Sequence, residues 1–544
     1  MFHMSTELDF DRCYLAISAR DARFDGRFYT AVTSTGIYCR PICPARTPAR
    51  KNVRFYPYAA SAEAAGFRPC RRCRPELSPG SPGWDARADL VGRGLRLIDD
   101  GVADETGVAG LARRLHVTER HLHRLFAAEL GTGPLAVART RRLLLAKQLL
   151  TETALPITEV AFAAGFGSVR QFNAAMKESY GFAPGDLRKA VGPLRGAGGV
   201  DGVTLRLGYR APYDAQALLR FLASRAIPGI ESVIFQDDLV ASYQRVIPGG
   251  LIALAPGADH IRLTVSTDDT RQLARIVARC RRMLDLDAAP DAIAAVLEPT
   301  SLGPLVAKRP GLRVPGAFDA FELVVRAIVG QQISVAGART LLGRIAAAGS
   351  SPTTVEADTP VALPVDIPAD RSASVPVALS AGIPTDQSAD IPTDSQTDIA
   401  ANQAADIRTG RPTAFPTALP TAFPTAFPTA FPTAEELAER DLTGLGLTNR
   451  RVATLHAVAR AVADGRIDLD GGDPAETSAL LLEIPGIGPW TVAYIALRAL
   501  RDPDAWPGGD LVLRRKMAEL AIGEDEIERW RPWRAYAALH IWNA

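Results

Sequence analysis

The chain has 544 residues, 62 Lys and Arg against 60 Asp and Glu, a net charge of +2 and 47% apolar side chains. That length predicts three or four domains with ordinary cores, and the balanced charge excludes whole-molecule electrostatics as the basis of partner choice. Local basic runs remain: "RPCRRCR" at 68–74, "RTRR" at 139–142 and "RCRR" at 279–282. Such patches are the footprint of a nucleic-acid binder. No apolar run reaches the ~18 residues of a membrane helix, so none is expected. The start "MFHMSTELDFDRC" lacks a basic stretch followed by an apolar one, so no signal peptide is expected. Six cysteines in such a chain point to a reducing, cytoplasmic setting.

Residues 1–78 carry five of the six cysteines, with Cys39 and Cys43, then Cys70 and Cys73, in two close pairs separated by 26 residues. Paired thiolates at these spacings suit tetrahedral zinc. Spacing alone leaves open whether such a site merely staples a small domain. Cys13 and Cys280 lie outside the pattern and are expected to pack. A joint, "SPGSPGW" (78–84), leads to a helical segment, 85–190. "LARRLHV", a turn at Val117–Glu119 with Thr118 as N-cap, and "RHLHRLFAAEL" form one helix-turn-helix layout. "EVAFAAGF", with Ser168 capping the next helix, repeats it, and "VARTRRLLLAKQLL" links the two.

A second joint, 191–202, precedes 203–310, where strand-like runs ("VTLRLGY", "LVASYQRV", "HIRLTV") mix with helical "DAQALLRFLASRA". Residues 311–349 and 433–544 read as helical. Between them, 350–432 is rich in Pro, Thr and Ala, with proline every four residues from Pro412 to Pro432. That spacing forbids a helix, so an extended or disordered insert is expected. Closing such a loop costs only about 2 kcal/mol more than a ten-residue one. Thr433 and Glu436 then fit a capping box. Near the end, "LLEIPGIGPWTVAYIAL" (481–497) is two helices joined by a Pro-Gly-x-Gly hairpin, and Asp510 follows Gly488 by 22 residues in a Gly/Pro-rich loop. Gly486 and Gly488 let backbone N–H groups approach a DNA phosphate.

Three resemblances follow. "TSTGIYCRPICPARTPARKNVRFY" with "AAGFRPCRRCRPE" resembles the zinc domain of Ada-type DNA methylphosphotriester repair proteins. The resemblance implies that Cys39, Cys43, Cys70 and Cys73 hold zinc, that Cys39 is also the methyl acceptor, and that Thr35, Arg46 and Arg68 face DNA. Residues 85–190 resemble the AraC-type DNA-binding domain. Exposed side chains near each recognition-helix start read bases in that motif, here Glu119, Arg120, His121 and Arg124, then Ser168, Arg170, Gln171 and Asn173. From about 203 onward the chain resembles AlkA-type 3-methyladenine glycosylases of the helix–hairpin–helix superfamily. That resemblance implies Asp510 as the catalytic carboxylate, Trp490 and Tyr494 as walls of the base pocket, and Gln332 where the best-known member has a leucine wedge. Strand-nicking relatives carry a lysine at the position of Trp490, so simple base excision is expected. No "PCHRV"-bearing segment is present, so no O6-guanine repair is expected.

The expected fold is therefore multidomain α+β: a four-cysteine zinc domain (1–78), an all-α double helix-turn-helix domain (85–190), an α/β domain (203–310), and an all-α glycosylase domain (311–349 and 433–544) interrupted by the insert. The expected partners are alkylated and promoter double-stranded DNA and RNA polymerase, on the nucleoid and away from membranes. Two rivals stand beside this reading: a non-enzymatic zinc-stabilised regulator with a glycosylase-like scaffold, and a glycosylase for oxidised or mismatched bases.

Overall fold

The computed structural model describes residues 8–80, 90–191, 202–348 and 430–544. In the N-terminal part, four short strands, β1 (Tyr29–Val32), β2 (Ile37–Cys39), β3 (Val53–Tyr56) and β4 (Arg68–Pro69), form one sheet in the order β3-β1-β2-β4. β1 and β2 make an antiparallel hairpin turning at Gly36, whose φ of +64° suits a residue without a side chain. β4 runs parallel to β2, and the Cys70 N–H donates to the Tyr38 carbonyl at 2.9 Å. Two strand ends therefore stop side by side, and each carries one cysteine pair out of the sheet. Cys13 and Cys280 are buried, as packing residues should be.

The two helix-turn-helix units form as their local chemistry dictates. Thr118 caps the helix Glu119–Leu130 by accepting the His121 N–H, and Ser168 caps Val169–Tyr180 by accepting the Gln171 N–H. Both helices end at a left-handed glycine, Gly131 and Gly181. The helix that supplies the first half of the first unit, Val102–Arg114, is kinked at Gly107. The linker helix, Pro134–Glu152, is apolar on several sides because it is covered on several sides. The second unit does not have a core of its own. Leu143, Leu149, Val160 and Phe172 belong to one cluster with Leu205, Tyr243 and Leu263 of the next sheet.

That sheet is antiparallel throughout, in the order β5-β9-β8-β7-β6: β5 (Val203–Gly208), β6 (Glu231–Gln236), β7 (Leu239–Ile247), β8 (Gly250–Pro256) and β9 (His260–Thr267). The helices Ala215–Ser224 and Leu273–Met283 pack with it. The helices that follow surround two further apolar clusters, one of which contains Phe431. Phe431 and Pro432 are buried, and Thr433 and Glu436 form a reciprocal capping box. The last "FPTA" unit is thus part of the folded core, two residues earlier than the proline spacing suggests. The rest of the expected insert lies outside the described residues.

Charged groups tie these parts together. The Lys147 ammonium, on the linker helix, donates to the Cys70 carbonyl (3.0 Å) and to Glu76 (2.7 Å). Arg74 bonds Glu76 (3.0 Å) and Glu152 (2.8 Å), and Glu152 accepts the backbone N–H of Arg206 on β5 (3.0 Å). On the other side, Arg93 donates to the Gly471 carbonyl (2.8 Å) and Arg114 pairs with Asp468 (2.9 Å). Lys147 and Glu76 are almost fully enclosed, 3% and 1% exposed. Removing one partner of a buried pair strands the other. Lys147→Ala is therefore expected to cost about 3 kcal/mol, the low end for such pairs because Arg74 still serves Glu76. Leu135→Ala, on the same helix but 58% exposed, should cost under about 0.5 kcal/mol. Urea unfolding of both variants checks the contrast.

Candidate metal centre, DNA-reading helices and base-excision site

The four sulfurs of Cys39, Cys43, Cys70 and Cys73 all lie within 4.8 Å of one another. Tetrahedral Zn–S bonds of ~2.3 Å put sulfurs about 3.8 Å apart, so the cluster fits zinc in number, type and spacing. Cys70 and Cys73 are buried, whereas Cys39 and Cys43 are half-exposed. Main-chain N–H groups bond three of the sulfurs: Arg40 to Cys73 at 3.3 Å, Arg72 to Cys70 at 3.4 Å, and Ala45 to Cys43. Each such bond draws electron density from the sulfur it reaches. On Cys39 the dominant influences are the other sulfurs and burial. Without a cation the thiols compete for protons: hydrogen bonding to Cys43 drives the Cys39 thiol up, and hydrogen bonding to Cys39 drives Cys70 down. A divalent cation relieves that competition by favouring all four thiolates. The Arg40 guanidinium braces the surrounding loop, bonding Asp25 (2.9 Å) and the Cys73 carbonyl (3.1 Å).

Thr35, Arg46 and Arg68 are all exposed. Arg68 lies beside the end of the second recognition helix, since a side chain at Gly181 would start 3.1 Å from its guanidinium. Arg71 covers the Phe182 ring at 4.3 Å. Of the expected base-reading side chains, Glu119, Arg120, Arg124, Ser168, Arg170, Gln171 and Asn173 are exposed and His121 is half-buried. Four are already engaged: Arg124 donates to His121 Nδ1 (2.9 Å), Gln171 accepts the Gly167 N–H (3.2 Å), and Ser168 accepts the Gln171 N–H (3.2 Å). The second recognition helix turns Phe172, Met176 and Tyr180 into the core it shares with the sheet, while Arg170, Gln171 and Asn173 stay exposed.

The hairpin joins the helices Pro474–Leu482 and Pro489–Arg498. Gly486 has φ +97°, and a Cβ there would sit 2.3 Å from Thr454 Oγ1, which accepts no such intrusion because it donates to the Pro485 carbonyl at 2.8 Å. A Cβ on Gly488 would meet nothing within 4 Å. One glycine is demanded by the fold, then, and the other leaves open space in front of the hairpin.

Asp510 caps the helix Leu511–Glu519, its Oδ1 accepting the Leu513 N–H at 2.8 Å. Its other contacts are two indoles: Trp490 Nε1 to Oδ2 at 2.8 Å and Trp542 Nε1 to Oδ1 at 3.2 Å. Helix cap and candidate catalyst are thus one carboxylate, aimed by three donors. Trp490 and Tyr494 stack at 5.3 Å and 11°. The Tyr494 hydroxyl accepts from Arg498 at 2.6 Å, and although burial pushes the phenol up, Arg498 and Arg225 bring it net below its usual range.

Three family models match the chain: "Metal binding domain of Ada" over residues 12–76, "Helix-turn-helix domain" over 111–190 and "AlkA N-terminal domain" over 204–319. A "Probable bifunctional transcriptional activator/DNA repair enzyme AlkA" of Mycobacterium tuberculosis is 39% identical over 546 residues, 98% of this chain and 96% of that one. The chain belongs to this family. The "Bifunctional transcriptional activator/DNA repair enzyme Ada" of Escherichia coli is 32% identical over 45% of this chain and 64% of its own length. "DNA-3-methyladenine glycosylase 2" of the same organism is 28% identical over 62% of this chain and 95% of its own.

Two participants escaped the sequence reading. Trp542 touches the Asp510 carboxylate from 32 residues away; its signal was the aromatic-rich end "RWRPWRAYAALHIW". Gln331 reaches the hairpin from 155 residues away, with no local pattern to announce it. The hairpin geometry yields a paired prediction. Gly486→Ala should destabilise the fold by about 2 kcal/mol or more, through both the left-handed backbone and the Thr454 clash. Gly488→Ala should fold with a loss under about 1 kcal/mol, yet bind duplex DNA several-fold more weakly in fluorescence anisotropy. Wild-type affinity in Gly488→Ala would mean that the hairpin does not face a phosphate.

Proposed function

We propose that the chain senses and repairs alkylated DNA with two separate reactive groups, Cys39 and Asp510, joined by a DNA-reading unit. What carries the reading is their pairing in one chain: an open-edged four-sulfur cluster and a carboxylate aimed by two indoles. Cys39, Cys43, Cys70 and Cys73 would hold zinc, which when bound keeps the thiols deprotonated at neutral pH. The Cys39 sulfur attacks the methyl carbon of a DNA methylphosphotriester. The carbon–oxygen bond breaks, its electron pair stays on the phosphate oxygen, and an ordinary phosphodiester is restored. The thioether is not reversed, so each molecule reacts once. Transfer changes the cluster's formal charge from −2 to −1, which lowers repulsion of DNA phosphates. Thr35, Arg46 and Arg68 face that DNA, and the two recognition helices read the promoter.

Base excision falls to the C-terminal half. The hairpin at Gly486 and Gly488 grips a phosphate, the target base leaves the stack, and Trp490 and Tyr494 offer it aromatic faces suited to a cationic purine. As the glycosidic bond breaks, its electron pair leaves with the base and positive charge develops on the sugar. Asp510 stabilises that charge and orients the water that adds to the anomeric carbon. Trp490 stands where a Schiff-base lysine would be needed, so the DNA strand is left uncut. A regulator of this kind works on the nucleoid, in the cytoplasm, with RNA polymerase as its partner. No helix among the described residues is long and apolar enough to cross a membrane, which is compatible with that location.

Intact mass spectrometry of the zinc-loaded protein after incubation with methylated DNA tests the first reaction. One added methyl group is expected, mapped to Cys39 and missing from Cys39→Ser. No gain, with zinc bound and phosphotriesters shown to be present, would demote the cluster to a structural staple. Asp510→Asn tests the second: release of alkylated bases should fall at least ~100-fold while duplex affinity stays within about twofold. Surviving release would remove Asp510 from the chemistry and favour the scaffold reading.

A further inference from the structure

The turn between the helices Ala320–Val329 and Val335–Ala347 carries two glutamines that face opposite ways. Gln332 is exposed and holds φ +59°, a left-handed backbone that side-chain-bearing residues adopt rarely and keep where the surroundings enforce it. Gln331 turns back into the protein. Its Nε2 donates to the Gly486 carbonyl (3.1 Å) and to Thr491 Oγ1 (3.1 Å). An amide nitrogen has two hydrogens, so each acceptor receives its own. The Gln331 carbonyl accepts from the Arg451 guanidinium at 2.5 Å. Arg451 stands near the start of the helix Asn449–Ala463, whose Thr454 secures the Pro485 carbonyl of the same hairpin. One residue therefore braces the exposed turn against the hairpin on one side and against this helix on the other.

Turning a base out of a duplex costs a few kcal/mol of stacking and pairing. A side chain filling the vacated place must push against something. If its turn were free to swing, the push would displace the turn instead of the base. We propose that Gln331 is a positioning residue that locks the Gln332 turn to the phosphate-facing hairpin, so that filling the stack and gripping the backbone act as one unit. This inference rests on the base-excision reading above. It separates Gln331 from the chemistry itself: the strut should matter when a paired base must be extruded, and hardly at all when the base is already unpaired.

The test uses the full chain with two variants. Gln331→Met keeps the length and removes both donated bonds. Thr491→Val removes one acceptor and leaves the bond to Gly486. Single-turnover release of 7-methylguanine is measured from a fully paired duplex and from a duplex in which the lesion lies in an unpaired bubble. Gln331→Met is expected to lose on the order of tenfold on the paired substrate and less than about twofold on the bubble, with Thr491→Val between it and wild type. A 2-aminopurine beside the lesion, followed in an Asp510→Asn background, should report the same deficit in extrusion without any chemistry. The ratio between substrates is internal to each variant, so a modest loss of stability cancels, and if Gln331→Met does not fold Thr491→Val decides alone. Equal losses on both substrates, or none on the paired one, overturn the strut. Wild-type protein that releases base from neither substrate overturns the excision reading and the strut with it.

Discussion

Lys147 is an ammonium enclosed between the zinc-binding part and the linker helix, and the placement of the folded parts depends on satisfying it. A buried charge without partners costs several kcal/mol. Its donors reach the Cys70 carbonyl and Glu76, so the loop that carries two of the four sulfurs has little freedom relative to the helix. Arg74 continues the same lattice to Glu152, and Glu152 reaches the edge strand of the five-stranded sheet. The apolar contacts are continuous across the same junction: the second helix-turn-helix unit and the sheet share one core. Buried pairs of this kind add little net stability, but they penalise every arrangement in which a partner is missing. They therefore specify the arrangement of the parts more than they strengthen it.

The sulfur cluster and the Asp510 carboxylate are held by related means. At the cluster, main-chain N–H groups bond the sulfurs of Cys43, Cys70 and Cys73. At Asp510, one backbone N–H and two indoles fix both carboxylate oxygens. Donors placed in advance cost no reorganisation when charge moves. The same bonds explain why the neighbouring residues are what they are. Arg40 must reach Asp25 to hold its loop, and Trp490 must keep its N–H toward Asp510 while its face stays parallel to Tyr494.

Local chemistry was legible from the residues alone. Thr118, Ser168 and Thr433 cap helices because each has a side-chain oxygen at the first turn of an amphipathic run, and a cap involves only residues three apart. The cysteine pairs were legible for the same reason, being two short-range patterns that meet through one strand pairing. Contacts between distant segments were not. Trp542 and Gln331 act across 32 and 155 residues, and no spacing rule reaches that far. The joint at 191–202 looked like a boundary between separate cores because glycines break local structure, but composition says nothing about what packs across the break. Phe431 failed in the opposite sense. Its "FPTA" unit repeats the pattern of its neighbours, so periodicity assigned it to the insert, although its ring is buried in a helical core.

The range of a charge switch limits what the cluster can control. Losing one negative charge at Cys39 alters the potential strongly only within a Debye length, about 8–10 Å at physiological salt. Arg68, on β4 two residues before Cys70, stands beside the end of the second recognition helix. DNA lying on that helix is the DNA whose phosphates would come within range, and phosphate contacts set affinity and register without reading bases. Methyl transfer would therefore tighten binding at the edge of one half-site and leave the base preference of both recognition helices unchanged. The Asp510 site is connected to the cluster through packing and hydrogen bonds. Any influence of methylation on base excision would have to travel as displacement through the bonds that join the parts, among them Lys147–Glu76, Arg27–Asp291 and Arg114–Asp468.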